Sequence, residues 1–304
     1  MKKLLFTSVL LFSLILLAAC GSDDNNASNG SNDGDNNTDG DKSKLEQLQD
    51  EGVIQVGFAN EKPYGYEDED GNLTGASVDT AKAVFKELGI DTVEGQLQDY
   101  DNLVPGLQAG KFDAITSGMA ITPERCEKAA FGEPDMKYGE GLVVQKGNPL
   151  DLHSYKDIAD NSDATVSIMS GATEIEFVAS EGIADDQVQK APDIAATIDA
   201  VATGRADATT ATEMTAKMAA MNNDAVEFVE DFEQPDIEGV PSYGAVAFHP
   251  DDKELLDAYN EKLQELKDDG TIAEILEDNY FDGERNFPDE DVTAEMVCEG
   301  TEKE

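Results

Sequence analysis

Gly110-Lys111-Phe112-Asp113-Ala114 and Gly204-Arg205-Ala206-Asp207-Ala208 are one short phrase written twice. Each follows an apolar helical stretch and runs glycine, a basic residue, an apolar residue, then Asp-Ala into a β-rich segment. Working outward, the helix before the first copy reads as Leu103 to Ala109, and Phe112 to Ile115 is a strand entering Thr116-Ser117-Gly118-Met119. Before the second copy, Ile194 to Thr203 reads as a helix. Upstream, Leu45 to Glu51 is a short helix and Val53 to Phe58 a short strand. Asp70-Gly71-Asn72 marks a hairpin-like turn. Thr74 to Leu88 is a helix carrying Val78, Ala81, Val84, Phe85 and Leu88 on one face, with Gly89 as its stop. The pattern restarts with a strand at Ala164 to Met169, a turn at Ser170 to Thr173 and a helix at Glu174 to Glu181. A strand at Tyr243 to His249 precedes one long amphipathic helix from Asp251 to Leu276, with Leu255, Leu256, Tyr259, Leu263 and Leu266 inward. Strands alternating with helices predict an α/β body with a largely parallel sheet, and the echo predicts two related lobes.

The first twenty residues read differently. Met1-Lys2-Lys3, an apolar run from Leu4 to Leu17 and small residues before Cys20 describe a secretory signal over residues 1–19. Leu17-Ala18-Ala19-Cys20 resembles the lipobox of bacterial lipoproteins, which implies lipidation of Cys20. The apolar run is shorter than the roughly 20 residues of a spanning helix. Residues 20–44 are Gly, Ser, Asn and Asp with almost nothing apolar, and are predicted to be a disordered tether. The expected location is therefore the extracellular face of a membrane, held by lipid.

Sixty-six acidic residues face 21 basic ones, for a formal net charge of −45. Nucleic acid and anionic lipid surfaces are excluded as partners, because binding them relies on clustered Lys and Arg. The spread of acid reads as adaptation to high external salt, where screening shortens to a few ångströms. No calcium loop, zinc spacing, phosphate-binding loop or Gly-x-Ser-x-Gly elbow occurs, so neither metal nor cofactor is expected. Cys126 and Cys298 are an even pair in an extracellular setting and predict a disulfide, two free buried thiols being the alternative.

Val53-Ile-Gln-Val-Gly-Phe-Ala-Asn-Glu-Lys-Pro-Tyr-Gly-Tyr66, Gly110-Lys-Phe-Asp-Ala-Ile115 and Gly118-Met-Ala-Ile-Thr-Pro-Glu-Arg125 together resemble solute-binding proteins of polar amino-acid ABC importers. Phe58-Ala-Asn-Glu61, Pro63-Tyr-Gly-Tyr66, Ile121-Thr-Pro-Glu-Arg-Cys126 and the late Cys298 are similar to the ectoine/hydroxyectoine binders within that group. The resemblance implies a type II periplasmic-binding-protein fold: two lobes with parallel-rich sheets, joined by two hinge strands and closing over a zwitterion. The first lobe would be 45–143 plus 244–304 and the second 144–243. The hinges would lie near Val143-Val144-Gln145 and Tyr243-Gly244-Ala245. It implies a monomer that serves an ABC permease, supports osmoprotection and performs no chemistry.

Arg125 offers a ligand carboxylate a planar bidentate fork, an ion pair with Glu124 or Glu127 being its alternative. Gly118 lets backbone approach closely. Thr173 offers a hydroxyl at a helix start. For the ligand's cation, Glu61 is the anion, and Tyr64 and Tyr100 are the aromatic walls, ordinary packing being the alternative for both rings and exposure a further one for Tyr100, which Asp99 and Asp101 flank. Amino-acid binders of the wider group carry an aspartate where this chain has Thr212, which points away from an ordinary α-amino acid, though Glu213 next door could substitute. Ala120 stands where ectoine binders would carry an aromatic wall, a gap that Phe177 or another ring could fill. Alternatives are a polar amino acid or other zwitterion as ligand, a sensory module, and an enzyme on the same fold such as a cyclohexadienyl dehydratase.

Overall fold

A computed structural model describes residues 42–221 and 223–301. The signal segment, Cys20 and most of the expected tether lie outside the described residues. Among the described residues, the first helix is capped at Ser43. Its hydroxyl accepts from Glu46 N (3.3 Å), and the Glu46 carboxylate accepts from Ser43 N (3.1 Å), a reciprocal cap that starts the helix Lys44–Glu51.

The strands form two main sheets. In the first, Val53–Phe58 lies parallel to both Thr92–Leu97 and Ala114–Ala120. Ser242–Phe248 then runs antiparallel to Ala114–Ala120, and pairs onward with Ala130–Phe131 and Met136–Tyr138. In the second, Val166–Met169 lies parallel to both Val188–Ala191 and Ala208–Thr212. Glu140–Gln145 is inserted antiparallel between Ala208–Thr212 and Val226–Phe228. Each lobe is thus a parallel sheet closed on one side by a strand from the opposite half of the chain. Ala114–Ala120 and Ser242–Phe248 are buried at every residue, as strands covered on both faces are.

The repeated phrase has a physical cause. Gly110 and Gly204 take φ of 66° and 72°, the left-handed turn that ends each helix. The aspartate then clamps the neighbouring parallel strand. Asp113 N donates to Gln55 O (2.8 Å) while its carboxylate accepts from Gln55 N (2.9 Å). Asp207 N donates to Thr165 O (2.9 Å) while its carboxylate accepts from Thr165 N (2.8 Å).

Helices pack their apolar stripes on these sheets. Ile54, Val84, Phe85, Phe248, Tyr259 and Leu276 share the first lobe's core, and Val144, Tyr155, Val166, Ile168 and Val178 the second's. Two helices differ from the sequence expectation. The helix expected from Thr74 runs Ala76–Glu87, because Gly75 (φ 118°) precedes it where a Cβ would meet Tyr64 O at 2.5 Å. The single long helix expected over 251–276 is two, Lys253–Asp268 and Thr271–Asp278, broken at Gly270 with φ 89°. A glycine in that conformation ends the ladder of i→i−4 hydrogen bonds.

The chain crosses between sheets at Gly139, since Met136–Tyr138 belongs to the first sheet and Glu140–Gln145 to the second. This is ahead of the expected crossing at 143–145. It returns at Pro241, just before Ser242–Phe248.

Candidate functional site

The carboxyl ends of the parallel strands in both sheets supply the residues of one crevice, the place where open α/β sheets bind ligands. Glu61 and Tyr64 follow Val53–Phe58, and Tyr100 follows Thr92–Leu97. Gly118 and Ala120 sit in Ala114–Ala120, with Arg125 one turn beyond. Thr173 follows Val166–Met169 and begins the helix Glu174–Ser180, and Thr212 ends Ala208–Thr212.

Glu61, Tyr64, Tyr100, Gly118, Ala120, Thr173 and Thr212 line a single cavity. The sequence reading missed Ser117, Tyr138, Met169, Ala172 and Glu174, which complete its wall. The enclosed volume is about 20 Å³. That is far below the roughly 300–1,000 Å³ of small-molecule pockets, so the cavity in this conformation has no room for a molecule of that size.

Arg125 stands at the rim. Its Nη1 donates to Ala120 O (2.8 Å) and its Nη2 crosses the cleft to Gly171 O (3.0 Å). The guanidinium lies 5.6 Å from the centre of the Tyr100 ring. Its outer side faces a groove of about 330 Å³ that Tyr100 and Thr173 also line. Glu124, an alternative partner for Arg125, is instead bonded by Lys128 (2.7 Å).

Two further contacts draw the lobes together. Thr215 Oγ1, in the helix Glu213–Met221, lies 2.8 Å from Glu61 Oε1 and 2.9 Å from Lys62 O. Arg285 grips Glu213 through both carboxylate oxygens, with Nη1 at 3.1 Å. Glu213 is thus held in an ion pair and is not among the residues that line the cavity.

Tyr64 is 1 % exposed. Its ring packs edge-on against Tyr138 and Phe281, each 5.3 Å away. Gly118 (φ 59°) makes room for it: a Cβ there would fall 2.2 Å from Tyr64 Cδ1. The Gly118 carbonyl accepts from Tyr138 Oη (2.7 Å). Tyr138, not Phe177, is the ring that shares the cavity wall with Ala120. Phe177 belongs to the second lobe's core and contacts a different groove, near Gly239. Tyr64 Oη, Ser117 Oγ and Thr212 Oγ1 are buried without a hydrogen-bond partner of good geometry.

Burial pushes the Glu61 carboxyl up to about 7 against the pull of the Thr215 hydroxyl, with Glu174 adding to the rise and Arg125 opposing it. Burial also raises Glu174, offset by its own backbone N–H and by Arg125. Glu140 lies far above the usual carboxylate range, first through burial and then through its contact with Glu174.

Cys126 and Cys298 are bonded, with Sγ atoms 2.01 Å apart. The bond ties the C-terminal helix Ala294–Glu299 to the short helix that carries Arg125. Among the described residues, no group of three His, Cys, Asp or Glu could hold a metal ion. Among them, too, no helix is long and apolar enough to cross a membrane.

Two lobes, each a parallel-rich sheet, with a buried polar crevice between their strand ends, define a cleft-type binding protein. The chain belongs to the bacterial extracellular solute-binding proteins, family 3, whose model matches residues 54–282. A probable amino-acid ABC transporter periplasmic-binding protein, y4tE of Sinorhizobium fredii, is 38 % identical over 236 residues, covering 76 % of this chain and 78 % of that one. The structure of EhuB in complex with hydroxyectoine is 34 % identical with a TM-score of 0.76, covering 84 % of this chain and 97 % of that one. The ancestral amino acid-binding protein AncCDT-1, a precursor of cyclohexadienyl dehydratase, is 32 % identical with a TM-score of 0.68, covering 78 % and 100 %. The two-lobed type II fold is shared with these structures. The chain is a solute-binding protein of the amino-acid ABC importer type.

Proposed function

We propose that this protein captures ectoine or hydroxyectoine between its lobes, outside the cell, and presents it to an ABC permease while anchored through lipid at Cys20. One observation carries the reading. Seven residues singled out for a zwitterion's two ends line one cavity, and the fixed cation Arg125 spans its rim. Arg125 supplies the cation for a carboxylate. Glu61 and the Tyr64 and Tyr100 rings supply the anion and π faces for a delocalised cation. Thr212, in place of a carboxylate, suits a cation without an α-ammonium. EhuB, crystallised with hydroxyectoine, supports the same ligand class. Closure around a charged ligand excludes water and keeps its contacts strong in high salt. The protein acts by binding, without turning its ligand over.

A second reading, a basic amino acid, is favoured by the three glutamates buried in or beside the cavity. Titration calorimetry with ectoine at molar salt tests the first reading: micromolar or tighter binding is expected, and Arg125→Ala should abolish it. Arginine binding with no heat from ectoine would establish the second. Consumption of the ligand during incubation would show an enzyme instead.

A further inference from the structure

The chain from Gly283 to Asp289 lies beyond the residues that the family model matches, 54–282. It runs along the two places where the backbone crosses between the sheets. Lys137 N donates to Asn286 O (2.8 Å), and Asn286 Nδ2 donates to Lys137 O (2.9 Å). The Asp289 carboxylate then accepts from Lys137 Nζ (2.5 Å) and Tyr243 Oη (2.6 Å). Lys137 and Tyr243 stand opposite each other on Met136–Tyr138 and Ser242–Phe248, the strands that lead into and out of the second sheet.

The segment is held in shape by its own hydrogen bonds and carries one arginine outward. The Asp282 carboxylate accepts from Glu284 N (3.0 Å) and Arg285 N (2.7 Å), and Asn286 N donates back to Asp282 O (2.8 Å). From this turn Arg285 reaches the second lobe, where Nη1 (3.1 Å) and Nη2 bond the two Glu213 oxygens. Glu213 follows the strand Ala208–Thr212, and its backbone N donates to Gly139 O (2.9 Å), at the first crossing. Among the described residues, this is the only ion pair that joins the two lobes. The Arg285 side chain is 63 % exposed and that of Glu213 19 %, so dissolved salt can screen the pair.

We propose that residues 282–289 are a strap across the hinge and that Arg285–Glu213 is its catch, an ionic contact that sets how far the resting cleft stands closed and so how tightly a ligand is held. The inference rests on the cleft reading of the function. Parting the lobes turns Glu213 about Gly139, while Arg285 stays with Lys137 on the first sheet. A bidentate fork tolerates little rotation, because both N–H···O bonds need the guanidinium and the carboxylate side by side. The pair is therefore made in the closed form and broken in the open one. Neither residue lines the cavity, so Arg285 acts on affinity through the equilibrium between the two forms, not by touching the ligand. Salt weakens an exposed pair, so the catch holds least in brine, and there the resting cleft opens most readily.

The test uses the full chain as wild type, Arg285→Ala, Glu213→Gln, the double variant and Arg205→Ala. Arg205 bonds Asp199 within the second lobe (2.5 Å) and is the control. Spin labels at Lys86→Cys and Lys156→Cys, exposed on helices of opposite lobes, report the separation of the lobes in the ligand-free protein. Calorimetry with ectoine and with L-arginine, at about 0.1 M and about 2 M NaCl, reads affinity. At low salt, Arg285→Ala and Glu213→Gln should each lengthen the label distance and weaken binding by about 2–10-fold, the span between an exposed ion pair and a charged hydrogen bond. The double variant should bind no more weakly than either single one, and Arg205→Ala should match wild type. The wild-type advantage should shrink at high salt. A merely structural role would lower the melting temperature without moving the label distance or the salt response. Unchanged distances, additive losses, or an advantage undiminished at high salt overturns the inference. If ligand binds and neither single variant moves either readout, this inference fails and the cleft reading stands. If wild type binds neither ligand, the ectoine and arginine readings fail, and the label distances alone decide this one.

Discussion

Replacing Gly118 with alanine tests how the site was built. The glycine has φ of 59°, where an L side chain costs about 1–2 kcal/mol. The new Cβ would fall 2.2 Å from Tyr64 Cδ1 and 2.9 Å from Cγ. Tyr64 cannot swing aside freely, because Tyr138 and Phe281 brace its ring. Forcing a methyl into such a core costs about 1–3 kcal/mol more. The sum, about 2–5 kcal/mol, lowers the melting temperature by about 4–20 °C for a body of this size. Differential scanning calorimetry of the ligand-free protein reads it. Gly110→Ala is the control: its φ is 66°, but nothing lies within 4 Å of the added Cβ, so only the backbone cost applies. Introducing Gly118→Ala into Tyr64→Ala should also leave only that cost, a coupling that a double-mutant cycle measures. Equal losses for Gly118→Ala and Gly110→Ala would refute the claim that Gly118 exists to seat Tyr64.

Two other outcomes are expected. The Cys126–Cys298 bond closes a loop of 172 residues, worth about 5 kcal/mol in the chain-entropy account. Cys126→Ala/Cys298→Ala should therefore melt about 10–20 °C lower; a shift under 2 °C would sink that account. Burial pushes both Glu61 and Asp135 up to about 7, above their unfolded values of about 4. Between pH 4 and pH 7 the folded state holds protons that the unfolded chain has lost, so stability rises as pH falls from 8 to 5. Both Asp135 carboxylate oxygens lack hydrogen-bond partners, and Lys267 only partly opposes the rise, so Asp135→Asn should raise the melting temperature at pH 8 and flatten this slope. A lower melting temperature at pH 8 with the slope unchanged would contradict it.

Local chemistry made much of this molecule legible in its sequence. The twin Gly-basic-apolar-Asp-Ala phrase is visible because each copy does a complete local task, ending a helix and clamping the next strand. Glu61, Tyr64, Tyr100, Gly118, Ala120, Thr173 and Thr212 are legible through the resemblance carried by the motifs around Glu61 and Arg125, and the fold gathers them at the carboxyl ends of its strands. The helix break at Gly270 is hidden from the pattern: the apolar spacing runs on across it, and only the glycine's left-handed backbone separates the two helices.

Tertiary structure decided the rest. Glu174 reads as an ordinary acidic residue in a helix's first turn, and Glu140 as the polar start of a strand. Only the meeting of two distant segments puts them together and out of water. Glu213 reads as a free carboxylate beside Thr212, and the fold brings Arg285 to it. Thr215 shows nothing in sequence, yet it contacts Glu61 across the cleft. Periodicity and turn chemistry depend on neighbours along the chain, so the sequence alone determined the alternation of strands and helices and the glycines that end them. Burial and charge pairing depend on neighbours in space, so only the folded chain decided which acids line the cavity.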